Sequence, residues 1–251
     1  MTGPVDGLRV RPAESEDDLA RAQSLRYDVF VSEMGATGPS VDDRARREAD
    51  RFDPYATHLL LEDLSRPGAP LAGTCRLMSR AAAKAAGGFS SAGEFDLAPL
   101  LRQDADLLEL GRVCLHPDYR GGAGLLALWT ALAAHVRGTG AGVLFGAASF
   151  PGTDRERLAP SLALLEAEHA APEAWRPVAH GDGAWTATAT TTDRKAALRL
   201  VPPLIKSYLR LGGGVGRGAC TDPDSGVTDV CMVLRVDRIP PSRWAPFGPG
   251  A

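Results

Sequence analysis

Apolar and charged positions alternate along Leu8-Arg9-Val10-Arg11, the period of a half-buried β-strand. Ser15, with Asp18 three residues on, has the form of a capping box. Leu19, Ala22, Leu25, Val29 and Phe30 then follow at the spacing of one helical face, until Gly35 to Pro39 ends the pattern. The acid-rich segment 41–54 is polar throughout and is expected as an exposed loop. Residues 57–62 and 71–79 read as a hairpin around Arg66-Pro67-Gly68, and a small helix is expected over 81–86. Residues 107–115 are apolar on both faces, which predicts a central strand, with Gly111 as a candidate bulge. A strongly apolar helix over 124–136 and a strand over 142–148 complete a βαβ unit. An amphipathic helix follows over 154–169, then an irregular stretch over 170–192. Pro203 opens a helix that Gly212 closes, and residues 228–236 form the last strand. Antiparallel strands around one crossover, with flanking helices, predict one mixed α/β domain over 1–251.

Composition narrows the picture by exclusion. At 44% hydrophobic and 24% charged the chain is an ordinary globular sequence, and a net charge of −3 gives no reason to expect nucleic acid. The opening residues lack the apolar core of a signal peptide, and no run is long enough to span a bilayer, so a cytoplasmic protein is expected. Cys75, Cys114, Cys220 and Cys231 show no metal or redox spacing and are expected as free thiols, mostly buried. Cys114 as a catalytic thiol is the alternative, although no base adjoins it. The five histidines form no metal-ligand pattern, and no metal is expected.

Three clusters carry chemistry. Glu109 and Arg112 stand three apart inside the apolar strand, where a charge is costly unless paired or used. Either they form an internal ion pair or Glu109 is a buried acid beside a bulge, able to take a proton from an amine. Next, Arg120-Gly121-Gly122-Ala123-Gly124 leads into a helix and could offer backbone N–H groups to an anion. Finally, Arg26, Asp50, Asp53 and Arg76 recur beside aromatic residues, as surface ion pairs or as a polar network.

The strand, bulge, glycine-rich turn and helix resemble the acyl-thioester site of GNAT acyltransferases. Leu25-Arg26-Tyr27-Asp28-Val29-Phe30, Asp50 with Asp53, Gly73-Thr74-Cys75-Arg76-Leu77 and Glu109 with Arg112 resemble acyl-homoserine-lactone synthases, which use acyl carrier protein thioesters. A sharper resemblance, spread over residues 25–238, is to ornithine N-acyltransferases, which make the lyso-precursor of ornithine lipids. It rests on Glu109 through Arg120, Gly146 through Phe150, Pro202 through Leu211 and Asp222-Pro-Asp-Ser-Gly-Val-Thr-Asp-Val230.

The resemblance implies a GNAT-like fold: a central mixed sheet with splayed strands, flanked by helices. It implies transfer of a (3-hydroxy)fatty acyl group from acyl carrier protein to the α-amine of ornithine or a similar amino acid, with no tightly bound cofactor. Glu109 is then the candidate base and Arg112 its catalytic neighbour. Arg26, Asp50, Asp53 and Arg76 would shape the acceptor end, and Phe30 and Phe150 would line the acyl channel. Arg120, Gly121, Gly122 and Gly124 would hold the donor arm. Relatives that use acetyl-CoA show R/Q-x-x-G-x-G/A there, whereas Ala123 and Leu125 occupy the two small positions in this chain. Leucine hinders the close backbone approach a pyrophosphate needs, which favours a carrier-protein phosphopantetheine over CoA. Lys206 and Arg210 project from one helical face, and Arg194, Lys195 and Arg199 lie just upstream. They are the expected docking face for an acidic carrier protein, the alternative being a merely solvated face. A passing contact with the inner membrane face at product release is a further expectation. The rivals are an acyl-homoserine-lactone-type synthase, opposed by the Pro202–Leu211 segment, and a non-catalytic acyl-binding module, opposed by the intact Glu109 and Arg112.

Overall fold

The alternating segments at the start of the chain pair as their pattern predicts. In the computed structural model, which describes residues 7–120, 122–188 and 193–244, β1 (Leu8–Pro12), β2 (Thr57–Asp63) and β3 (Leu71–Ser79) are antiparallel neighbours. The sheet continues through β4 (Leu107–Leu115) and β5 (Val143–Pro151), then through β6 (Ala184–Trp185), β7 (Gly214–Val215), β8 (Ala219–Asp222) and β9 (Val227–Arg235). Its order is β1-β2-β3-β4-β5-β9-β8-β6, with β7 also paired to β9. Every pairing is antiparallel except β4 with β5.

Both faces of the middle strands are covered, which accounts for their apolar character. Along β9, Val230, Met232 and Leu234 join one core cluster, while the alternating Cys231 and Val233 join the other. The first cluster packs against α3 (Ala123–Thr139), α4 (Arg155–His169) and α6 (Pro203–Leu211), where Trp129 meets Tyr208 edge to face at 5.3 Å. The second lies under α2 (Arg80–Ala86) and the 89–100 segment, with Phe89 edge-on to Phe145 at 5.0 Å. α5 (Arg194–Leu200) leads into α6.

The predicted caps form. Ser15 Oγ accepts from Asp18 N–H at 3.1 Å to start α1 (Glu16–Arg26), and Pro203 starts α6, which ends at Gly212 with φ of 93°. Two expectations need correction. Segment 41–54 is not simply an exposed loop. It folds into a two-residue ribbon, Val41–Asp42 against Arg47–Glu48, and buries Glu48 and Asp53 because buried arginines stand opposite them. The bulge in β4 has its left-handed residue at Arg112, with φ of 50°, not at Gly111.

Candidate active site

The crossover creates the cleft. β4 and β5 pair only from Leu107 to Glu109 against Val143 to Phe145 and then diverge, with the Arg112 bulge just past the fork. Gly146 sits at that fork, where a Cβ would collide with the Leu110 carbonyl, so no side chain fits. Into the gap opens a cavity of about 410 Å³, within the range of small-molecule sites. Glu109, Gly111, Arg112 and Val113 of β4 line it, with Ala147, Ala148 and Ser149 of β5 opposite.

After α1 the chain loosens into a π-helix, Tyr27–Glu33, in which Met34 N–H reaches five residues back to the Val29 carbonyl at 3.1 Å. That turn brings Phe30 and Met34 to the cavity wall. Thr37 N–H then bonds the Asp224 carbonyl at 2.7 Å, which ties this wall to the Asp222–Val227 turn on the far side.

Glu109 is buried and held by the 90–91 turn. Its Oε1 accepts from Ser91 N–H at 2.7 Å and from the Ser91 hydroxyl, and its Oε2 accepts from Ser90 N–H at 3.0 Å. A carboxylate offers about four acceptor positions; these bonds fill three, leaving one on Oε2.

Beneath the cavity lies an ion-pair network that joins the arginines and aspartates of the third sequence cluster. Arg26, fully buried, grips Asp53 with two nitrogens at 3.0 and 2.7 Å and contacts Glu48 at 2.6 Å. Arg76 bonds Asp53 at 2.8 Å, also reaches Asp50, and donates to Ser90 Oγ at 3.1 Å. Arg112 bonds Glu48 at 3.1 Å and Asp50 at 3.0 Å. Burial alone would raise the Asp53 carboxyl, but the Arg26 hydrogen bonds and the charges of Arg26 and Arg76 hold it well below the usual carboxylate range. Arg112 is thereby pinned from two sides in its strained conformation, and through Ser90 the network also braces the turn that holds Glu109.

Of the other expected site residues, Phe150 does not line the cavity; its side chain is wholly buried in the core. Arg120 bonds Glu33 through two nitrogens at 2.6 and 2.7 Å. Gly122, with φ of 106°, caps α3, and a Cβ on Gly124 would press on the Tyr119 carbonyl at 2.7 Å. Gly121 lies outside the described residues. Cys114 is buried and its thiol is pushed up to about 12 by that burial, which disfavours the thiolate a catalytic cysteine needs. The four cysteines are free and buried.

From the cavity an apolar seam leads toward α3, since Val113 and Leu204 border both the cavity and a crevice lined by Leu125, Leu128 and Trp129. Leu125 and Trp129 also border an outer groove of about 520 Å³, whose rim carries Lys206, Arg210 and Gly122. Arg194, Lys195 and Arg199 share a neighbouring hollow with Lys206.

Three cavity carboxylates were not among the expected site residues: Glu94, and Asp222 and Asp229, which lie in the quoted 222–230 segment without an assigned role. Nor was Glu48, which joins the cavity to the network. Asp229 carried the same signal as Glu109, an acid within an apolar strand. Among the described residues no group of His, Cys, Asp and Glu is arranged to hold a metal, and no helix is long and apolar enough to cross a membrane.

The forked parallel strands, the bulge at the fork and the helix that starts behind it define a class, and residues 25–130 match the acetyltransferase (GNAT) domain family. The chain is an acyltransferase of the GNAT fold, a class that takes its acyl group from a thioester. A CoA-dependent acyl-homoserine lactone synthase, BjaI, shares that fold: TM-score 0.53, 15% identity, covering 98% of this chain and 92% of that one. The L-ornithine N(alpha)-acyltransferase of Rhodobacter capsulatus is 44% identical over 90% of this chain and 88% of its own length. The Brucella abortus enzyme of the same name is 38% identical over 95% and 88%. The chain belongs to the L-ornithine N(alpha)-acyltransferase family.

Proposed function

We propose that this enzyme transfers a fatty acyl group from a carrier-protein thioester to the α-amine of ornithine. The observation that carries the reading is Glu109: a buried carboxylate with one acceptor position left, at the mouth of the strand fork. An amine nucleophile is mostly protonated near neutral pH and must lose a proton to attack. Glu109 accepts that proton, directly or through one water. The amine nitrogen then bonds to the thioester carbonyl carbon, the carbonyl re-forms, and the carrier thiolate leaves and is protonated. Beyond Glu109 the edge of β4 that faces β5 has no ladder partner. Its N–H groups at the bulge are the proposed donors to the developing oxyanion. Arg112 is the only cation among the described residues that line the cavity, and it is the proposed partner of the acceptor's carboxylate.

The apolar seam behind Val113 and Leu204 gives a thioester arm a route from the outer groove to the fork. Leu125 fills part of that route, which supports a phosphopantetheine donor without a pyrophosphate to seat. Lys206 and Arg210 on the rim, with the Arg194–Lys195–Arg199 hollow beside them, are the proposed docking face for the acidic carrier protein. The amphiphilic product leaves by a passing contact with the cytoplasmic face of the membrane. The test is thiol release from acyl carrier protein and from acyl-CoA bearing the same chain, with and without ornithine. Ornithine-dependent release with a much higher kcat/KM for the carrier protein is expected. Equal efficiency with CoA would overturn the donor assignment, and release indifferent to ornithine would overturn the acceptor.

A further inference from the structure

Among the described residues, five carboxylates and one arginine line the cavity: Glu48, Glu94, Glu109, Asp222 and Asp229 against Arg112. Two of the five are accounted for, since Glu48 pairs with Arg26 and Arg112, and Glu109 is held by Ser90 and Ser91. Asp222 Oδ1 accepts from the backbone of Asp224 and Ser225, which closes its own turn. Asp229 is different. It stands in the middle of the sheet opposite Ser149, borders the cavity and is more than nine-tenths buried, yet its Oδ1 is sealed from solvent with no hydrogen-bond partner. A buried carboxylate oxygen left unpaired costs free energy, and in native proteins such an atom calls for an explanation.

Its surroundings sharpen the question. Glu94 and Asp222 line the same cavity as Asp229, and Arg112, which bonds Glu48 through Nε and Asp50 through Nη2, is the neighbouring cation. Burial, with the other acids adding to it, pushes the Glu94 and Asp229 carboxyls above the usual carboxylate range. A compact cation ringed by N–H donors, bonded to the cavity-facing oxygen of Asp229, would offset this buried charge and relieve the repulsion together. The cation that the proposed acceptor brings to this cavity is an organic ammonium.

We infer that Glu94, Asp222 and Asp229 form a subsite for the side-chain ammonium of a diamino-acid acceptor. The inference rests on the proposed ornithine reaction and adds what selects ornithine among amino acids. Arg112 takes the α-carboxylate through Nη1, the nitrogen its bonds to Glu48 and Asp50 leave over, Glu109 faces the α-amine, and the acid trio holds the far ammonium. A second amine fixed in this way stays protonated and is no nucleophile, which directs acylation to the α nitrogen.

The test compares ornithine with norvaline, which has the same carbon chain and no side-chain amine. Wild type should prefer ornithine in kcat/KM by about 10- to 100-fold, the value of a charge-assisted hydrogen bond to a buried partner. In Asp229→Asn that ratio should fall toward unity through KM for ornithine. Glu94→Gln, at a less buried position, should shift it the same way. Calorimetric binding of each amino acid without donor should reproduce the order. An unchanged ornithine-to-norvaline ratio in both variants overturns the subsite, as does equal use of the two by wild type. An equal fall in kcat on both substrates would make Asp229 a proton acceptor and would also overturn it. A wild-type enzyme that acylates ornithine without discrimination defeats the subsite alone, whereas one that acylates neither defeats the acceptor assignment beneath it.

Discussion

Replacing Glu109 with Gln removes the proposed proton acceptor and disturbs its surroundings in a calculable way. Glu109 receives three hydrogen bonds, two at Oε1 and one at Oε2. With its amide oxygen at the Oε1 position, Gln keeps both bonds from Ser91 and turns its NH2 toward the Ser90 N–H. One buried donor is then left unpaired, at about 1–3 kcal/mol. For a domain of this size each kcal/mol lowers Tm by roughly 2–4 °C, so the variant stays folded at assay temperature. Basicity is lost in full, and general-base catalysis contributes about 10²–10⁴-fold, so kcat should fall by that factor while KM for both substrates changes little. The assay is thiol release at saturating acyl carrier protein thioester and ornithine, with a melt on the same preparation. A small drop in Tm with near-normal kcat would refute the assignment and pass the proton to another group or to solvent.

Three further predictions follow from the same geometry. Lys206→Glu with Arg210→Glu should raise KM for the acyl carrier protein and weaken its salt dependence, leaving turnover of a small pantetheine thioester little changed; a wild-type carrier KM at low salt would dismiss this rim as the docking face. Asp53→Asn takes the central acid from between two buried arginines and should cost about 3–5 kcal/mol by urea unfolding, whereas a loss no larger than about 1 kcal/mol, typical of a surface pair, would contradict the network's structural role. Because the folded Asp229 carboxyl is raised, its charging costs stability as pH climbs through its folded pKa, and the cost is absent below the unfolded value. Asp229→Asn should therefore melt above wild type at alkaline pH, with the gain shrinking toward acid; a gain independent of pH would count against a charged buried carboxyl.

Much of this was legible because it depends on short-range pattern. The both-faces-apolar run of β4 announced a central strand, and Glu109 stood out in it as a charge that needed a reason. The cap at Ser15 and the start and stop of α6 are local chemistry and formed as read. Position across the fold was not legible. Glu48 and Asp53 lie in a stretch as polar as any loop and are buried only because Arg26 and Arg76 come from elsewhere in the chain to meet them. The strain of the bulge falls on Arg112 rather than the neighbouring glycine, and Glu48 and Asp50 grip the guanidinium there. Glu94 gave no local signal at all, since its turn matters only once the sheet sets it opposite Asp229. Phe150 matched a family segment, yet its side of β5 faces the core.

The most direct test of the account is the structure of the product. The purified enzyme, incubated with a 3-hydroxyacyl carrier protein and ornithine, should release one thiol for each molecule of N-acylornithine formed. Fragmentation mass spectrometry should place the acyl group on the α nitrogen, with the side-chain amine free, and Glu109→Gln should lose that product in step with thiol release. Thiol release without an N-acyl amino acid, or acylation at the side-chain nitrogen, would contradict the reaction assigned to this cavity.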